Sequence, residues 1–347
     1  MTVLNDRIEA KWIDVFETTF RACKVDASQT AIILSETQSR DLNVQLAELA
    51  LARIGVPFYH LKVPTPRNAS PAIIRSSGAS LALNGQEKAV VALASVDFVV
   101  DLTLEGLMHA PQTGAILKGG ARILNISNEH PEMLERAIPD EDLKARTLAA
   151  ARLCRKASVM QVTSDAGTDL QVNMIHNNTV GVWGWTDKPG TLAHWPGGIV
   201  VSFPKAGSVN GRLVFQPGDM NLTFKKYFDS EVTFTLENDY VTAIEGRGTD
   251  ARLMRNYLDS FNDPKAFSTS HVGWGLHKGA RYEALAMYDK RDTNCTELRA
   301  LAGNFLYSTG ANEFAGRFTE GHFDLPMMGC TIMVDDTCVV QDGKLTS

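Results

Sequence analysis

Thr30-Ala31-Ile32-Ile33-Leu34-Ser35 is a nearly unbroken apolar run rich in β-branched residues, so it reads as a strand buried on both faces rather than a half-exposed one. The segments after it set the fold class. From Asp41 to Ile54, Leu42, Val44, Leu46, Leu49 and Leu51 cover a broad apolar helical surface, and Gly55-Val56-Pro57 supplies the stop. Residues 58–63 (FYHLKV), 96–103 (VDFVVDLT) and 122–126 (RILNI) read as further strands with helices between them. This alternation predicts an α/β, Rossmann-like N-terminal domain with a mostly parallel sheet over residues 1–156. The first strand is followed by Glu36-Thr37-Gln38-Ser39, not by G-x-G-x-x-G, so the layout carries no dinucleotide loop. The later glycines Gly273, Gly275 and Gly279 have the wrong spacing for a phosphate loop.

From about residue 157 the texture changes to short alternating strands at 158–163, 169–174, 199–203, 212–215 and 231–237. Turn signals such as Asp187-Lys188-Pro189-Gly190 and Pro217-Gly218-Asp219 separate them. Helices at 250–257 and 282–287 and late strands at 331–334 and 338–340 complete an α+β C-terminal domain rich in antiparallel strands, residues 157–347.

The composition is that of an ordinary globular chain of 347 residues, 44% hydrophobic and 21% charged. A net charge of −6, with no basic stripe interleaved with aromatics, argues against nucleic acid as a partner. The N-terminal MTVLNDRIEAKW lacks the basic-then-apolar order of a signal peptide, and no apolar run approaches the ~20 residues of a membrane helix, so a cytoplasmic protein is expected. Cys23, Cys154, Cys295, Cys330 and Cys338 are odd in number and widely spaced, which suits reduced thiols better than a disulfide framework or a zinc cluster.

Of eight histidines, His60, His130 and His176 read as structural or exposed. His322 and Asp324 stand two apart in Gly321-His322-Phe323-Asp324-Leu325-Pro326; in extended chain both side chains face the same way, and such a pair supplies two ligands of a 2-His-1-carboxylate triad. The alternative is a surface loop. His271, in Ser270-His271-Val272-Gly273-Trp274-Gly275, is the best candidate for the third ligand, against a packed turn with a satisfied histidine. His277, beside Lys278, reads as exposed. His109 follows the 96–103 strand, where ligands bind in parallel sheets, and is either a neutral base or an ordinary loop histidine. Trp183, Trp185, His194 and Trp195 bring three of the five tryptophans within thirteen positions. They form either a stacking surface for a flat aromatic substrate or, the simpler reading, a core or interface cluster.

His194-Trp195-Pro196, Phe261-Asn262-Asp263-Pro264, His271-Val272-Gly273-Trp274-Gly275-Leu276, residues 303–310 (GNFLYSTG) and His322-Phe323-Asp324-Leu325-Pro326 occur in an order and spacing that resembles the 2,5-dihydroxypyridine 5,6-dioxygenase family, ring-opening enzymes of bacterial nicotinate catabolism. The similarity runs nearly the whole length and is densest from His194 to Cys330. The resemblance implies a fold distantly related to aminopeptidase T-like metallopeptidases, a mononuclear non-haem iron(II), Fe(2+), one per subunit, and opening of the ring of 2,5-dihydroxypyridine with O2 to N-formylmaleamate. It implies His271, His322 and Asp324 as iron ligands, His109 and His194 in the pocket with His109 the acid/base, Ser308 nearby, and a homo-oligomer, a hexamer in the family. Trp183 is kept as a substrate-binding candidate from the tryptophan surface. One departure stands out: the family carries an acidic residue in the segment matching Gly181 to Trp185, where this chain has Val182 and Trp183.

Three rival readings keep part of this picture. A metallopeptidase would need a second metal and further carboxylates, for which Glu283, Glu313 and Glu320 are candidates by proximity alone. A non-catalytic binder would use the tryptophan surface, and a dioxygenase acting on another hydroxypyridine or a dihydroxyaromatic would keep the iron and change the ring.

Overall fold

The computed structural model describes residues 7–67, 79–126 and 128–346. The helices are α1 (Ala10–Ala22), α2 (Asp41–Ile54), α3 (Glu87–Ala94), α4 (Thr113–Lys118), α5 (Pro131–Arg136), α6 (Glu141–Lys156), α7 (Thr249–Ser260), α8 (Ala284–Met287) and α9 (Thr296–Ala300). A first sheet has the order β2-β1-β3-β4-β8, from β1 (Ala31–Glu36), β2 (Phe58–Val63), β3 (Phe98–Leu102), β4 (Arg122–Ile126) and β8 (Leu192–Trp195), every pairing parallel. The α/β reading therefore holds, and the reason β1 is apolar from Ala31 to Leu34 is visible in its neighbours. Ala31 and Ile33 enter one core with α1 and α2, while Ile32 and Leu34 enter another with α3 and α4, and the buried polar residues that end the strand are hydrogen-bonded, Ser35 to His60 and Glu36 to Ser80. The α2 helix stops where expected, at Gly55, whose φ of 83° and N–H bonds to the Leu51 and Ala52 carbonyls form a left-handed cap.

The second half is antiparallel, as expected. Strands β5 (Val159–Thr163), β6 (Asp169–Asn173), β10 (Val209–Phe215), β13 (Val232–Glu237), β14 (Tyr240–Glu245), β18 (Thr331–Val334), β19 (Thr337–Gln341) and β20 (Lys344–Leu345) form an eight-stranded sheet. A two-stranded ribbon pairs β11 (Met220–Asn221) with β12 (Lys226–Tyr227). The sheet that matters for function runs β17-β16-β15-β9-β7, from β7 (Asn178–Val182), β9 (Ile199–Phe203), β15 (Thr269–Gly275), β16 (Phe305–Thr309) and β17 (Phe323–Met327). Alternation splits it cleanly. Val200, Val272, Trp274, Phe305, Tyr307, Phe323 and Leu325 pack into the large core behind it, which leaves Ile199, Val201, His271, Gly273, Leu306, Ser308 and Asp324 on the other face.

Two elements cross the 156/157 boundary. Helix α6 buries Leu143, Ala151 and Cys154 in the core of the second half, and β8 hydrogen-bonds to β4 in the parallel sheet of the first. His194 thereby sits at an edge of the first sheet while its flanking strands belong to another. The turn considered for His271 is a strand. Its glycines are steric requirements, because a Cβ on Gly273 would lie 1.9 Å from the Val200 carbonyl oxygen and one on Gly275 2.2 Å from that of Leu301.

Candidate metal centre

Asp324, Ser308 and His271 lie at one level on three adjacent strands, since Ser308 pairs with both others. The ladder thus does what no local spacing can, bringing a carboxylate and an imidazole from distant stretches to one spot. His322 stands one residue before β17, two positions from Asp324, and its carbonyl is fixed by the Tyr257 hydroxyl at 3.2 Å and the Thr223 hydroxyl at 3.3 Å. The His322 Nε2 is 3.3 Å from Asp324 Oδ2, the His271 Nε2 is 3.9 Å from Oδ1, and the two imidazole centroids are 5.9 Å apart. One ligand atom from each residue falls within 4.8 Å of the others, and among the described residues this is the one such group of three or more. Glu283, Glu313 and Glu320 contribute nothing to it; Glu313 lies instead 3.7 Å from His109.

The donor chemistry fits a divalent cation. Burial pushes the His271 imidazole down to about 3, so it is neutral and keeps a lone pair for a ligand, and its Nδ1 is buried without a hydrogen-bond partner. Burial alone would raise the Asp324 carboxyl, but the Arg299 guanidinium, with His322 and His271 behind it, holds it well below the usual carboxylate range. Arg299 donates Nε to Asp324 Oδ2 at 2.5 Å, and the Ser308 hydroxyl donates to Oδ1. Two imidazoles and an ionised carboxylate are a donor set that could hold one divalent cation and leave coordination positions free.

Arg299 gave no signal in the sequence, and its placement is a tertiary achievement. It lies in α9, whose first N–H, at Thr296, donates to Glu129 Oε1 at 2.7 Å, while Thr293 Oγ1 donates to Oε2 at 2.7 Å. Arg136 adds an ion pair to Glu297 at 2.7 Å. Both Glu129 and Arg136 come from the first half of the chain, so α9 is clamped across the two halves. On the sheet side, the missing side chain of Gly275 lets Ala300 and Leu301 approach.

The cluster opens into a cavity of about 400 Å³ lined from both halves, with Leu104, Met108, His109 and Asn125 on one side and Ile199, Val201, Leu306 and Arg299 on the other. His109 reaches it from the loop after β3. That loop is shaped by the buried Asp101 carboxylate, which accepts from Thr103 N and Oγ1, Leu107 N and Asn125 Nδ2 at 2.7–3.0 Å. Gly106 is required there, at φ 81° with the Asn125 side chain where a Cβ would go. His194 also lines the cavity; burial pushes its imidazole down to about 4, and its Nδ1 lies 3.2 Å from the Pro196 carbonyl. A carbonyl only accepts, so Nδ1 carries the proton and Nε2 of the neutral ring is an acceptor.

Ser308 touches the cluster through Asp324 rather than as part of the cavity lining. Trp183 is not among the lining residues; it packs edge-to-face on Trp185 at 6.5 Å against the first core, so the tryptophan segment behaves as a core cluster, and its neighbour Val182 faces the cavity. Lys225, likewise unseen in the sequence, lines the cavity and donates to the carbonyls of Lys290 and Thr293 at 2.7 Å.

A 2,5-dihydroxypyridine 5,6-dioxygenase from Pseudomonas putida KT2440 is 36% identical over 343 residues, covering 97% of each chain. The solved structure of 2,5-dihydroxypyridine dioxygenase from the same strain superposes with a TM-score of 0.91 at 35% identity, over 99% of each chain. Wild-type AmpT from Thermus thermophilus shares the fold, with a TM-score of 0.61 at 12% identity over 97% of this chain and 99% of that one. The family model of 2,5-dihydroxypyridine 5,6-dioxygenase matches residues 11–347, and the chain belongs to that family.

Proposed function

We propose that this protein opens the ring of 2,5-dihydroxypyridine between C5 and C6 with O2, giving N-formylmaleamate, at one iron(II) per subunit held by His271, His322 and Asp324. The observation that carries this is the convergence of those three donors on the wall of a cavity large enough for an aromatic ring. When bound, iron(II) supplies open coordination positions at which O2 and an ionised ring hydroxyl are activated.

The remaining work falls to the chain's own side chains. His109 accepts the proton of the 5-hydroxyl, with Glu313 Oε1 3.7 Å from its Nδ1. His194 offers an acceptor at Nε2, which suits the N–H of the pyridone tautomer or a ring hydroxyl. Arg299 keeps Asp324 ionised and oriented, and Ser308 fixes its second oxygen. Leu104, Met108, Ile199, Val201 and Leu306 line the rest and limit water around the reacting ring.

The five free thiols, and a described chain in which no helix is long and apolar enough to cross a membrane, support a reducing, cytoplasmic setting; a homo-oligomer, in keeping with the family, completes the reading. The test is anaerobic loading with iron(II), followed by metal analysis, O2 uptake and product identification with 2,5-dihydroxypyridine. Stoichiometric iron with matching O2 consumption and ring-opened product is expected. Full activity with two zinc ions and no O2 uptake would overturn the proposal.

A further inference from the structure

The cavity face of the β17-β16-β15-β9-β7 sheet grades from polar to apolar. At one end are Asp324, Ser308 and His271; along the strands, Gly273 pairs with both Leu306 and Val201, and beyond them Ile199 pairs with Val182. Ile199, Val201 and Leu306, joined by Ala300, form a small apolar cluster of their own, separate from the core behind the sheet. Position 273 admits no Cβ, so the floor between Val201 and Leu306 is bare backbone. Val182, Ile199, Val201 and Leu306 all line the cavity, and none of the four carries a hydrogen-bonding group. A volume of about 400 Å³ lies in the range of pockets that hold drug-sized ligands, more than a single ring with two oxygens fills.

A polar ring atom placed over this wall would give up water without a replacement partner, whereas an alkyl carbon would gain by leaving water. We propose, building on the ring-opening reading above, that the apolar wall recognises a short alkyl substituent on the ring. The favoured substrate class is then an alkyl-substituted dihydroxypyridine, its hydroxyls toward His271 and Asp324 and its alkyl group on Val182, Ile199, Val201 and Leu306.

Anaerobic titration calorimetry of the iron-loaded protein with 2,5-dihydroxypyridine and its 3-ethyl and 4-ethyl derivatives reads affinity without turnover. Each buried methylene is worth about fourfold, so at least one ethyl derivative should bind about tenfold more tightly than the parent. Val182→Thr, near-isosteric with a hydroxyl in place of one methyl, should cut that advantage severalfold; if it fails to fold, the ratio in the unmodified protein decides. A parent ligand bound as tightly as both derivatives, or no binding by any of them, overturns the inference. O2 uptake with the same compounds separates the two ideas. A tenfold affinity difference without O2 uptake leaves the alkyl recognition standing and removes the reaction; uptake with the bare ring preferred and bound more tightly does the reverse.

Discussion

Arg299 reaches Asp324 with its Nε at 2.5 Å from Oδ2, so the carboxylate facing two imidazoles is also tied to a permanent cation. The pair is buried, with side-chain exposures of 14% and 5%, which makes its two halves unequal to lose. Removing the guanidinium leaves a buried carboxylate uncompensated, and breaking such pairs costs about 3–5 kcal/mol. Arg299→Ala should therefore lower the unfolding free energy by that amount in urea titrations, with Arg299→Lys intermediate because the charge returns without the planar fork. A loss under 1 kcal/mol in Arg299→Ala would mean the pair does not hold the site.

His322→Ala and His271→Ala remove one donor each from a group whose ligand atoms lie within 4.8 Å of one another. Each variant should lose most of its bound iron, and with it ring cleavage, while folding normally. The loss should also show as stability, since an ion that binds only the folded chain contributes about 2.7 kcal/mol when present at a hundred times its Kd. Chelation should then lower the melting temperature of the parent protein and leave that of His322→Ala unchanged. Full iron content in His322→Ala would remove it from the ligand set.

Much of this arrangement was legible in the sequence, and the rest was hidden for physical reasons. His322 and Asp324 could be paired because a period of two is local, and TAIILS could be read as doubly buried because a strand with cores on both faces has no polar side. His271 could be nominated by its glycine-rich surroundings, but its strand could not, since Gly273 and Gly275 have poor strand propensity and are kept for close approach of Val200 and Leu301. Trp183 and Val182 are neighbours, and which of them faces the cavity depends on the register of β7 with β9, a non-local fact. Arg299 and Lys225 enter through cross-chain hydrogen bonds that leave no periodic trace. The placement of β8 beside β4 likewise comes from pairing across a large sequence separation.

Asp219 carries a pH dependence away from the metal cluster. Burial pushes its carboxyl up to about 6, against the Met328 and Gln216 N–H groups that donate to it at 2.7 and 2.8 Å. A carboxyl whose folded value exceeds its unfolded value of about 3.9 favours folding below about pH 4, and that contribution is lost as the pH rises through about 6. The two-unit difference corresponds to about 3 kcal/mol. Asp219→Asn should flatten the fall in urea stability between pH 4 and pH 7 by roughly that amount; identical slopes in variant and parent would show that Asp219 does not titrate abnormally.

His109 stands in the cavity wall outside the group of donors, so its loss should separate chemistry from metal binding. His109→Asn is expected to keep iron and to lower kcat by about 10²–10⁴, the usual worth of a positioned base, with KM changed far less. Iron loss in this variant, or an unchanged kcat, would take the proton-accepting role away from it.

Asp101 never meets the substrate, yet it gathers four donors from Thr103, Leu107 and Asn125 into the turn that presents His109. An asparagine there would turn one accepting oxygen into an NH2 facing donors, and each buried group left unpaired costs about 1–3 kcal/mol. The effect should travel along the loop rather than stay at Asp101: the Leu107 amide should exchange faster with solvent, and kcat should fall while iron content stays full. Asp101→Ala should behave the same way, since it too leaves the donors unpaired. If the Leu107 amide stayed protected while kcat fell, the loop would not be the route, and Asp101 would have to act on His109 through something other than its position.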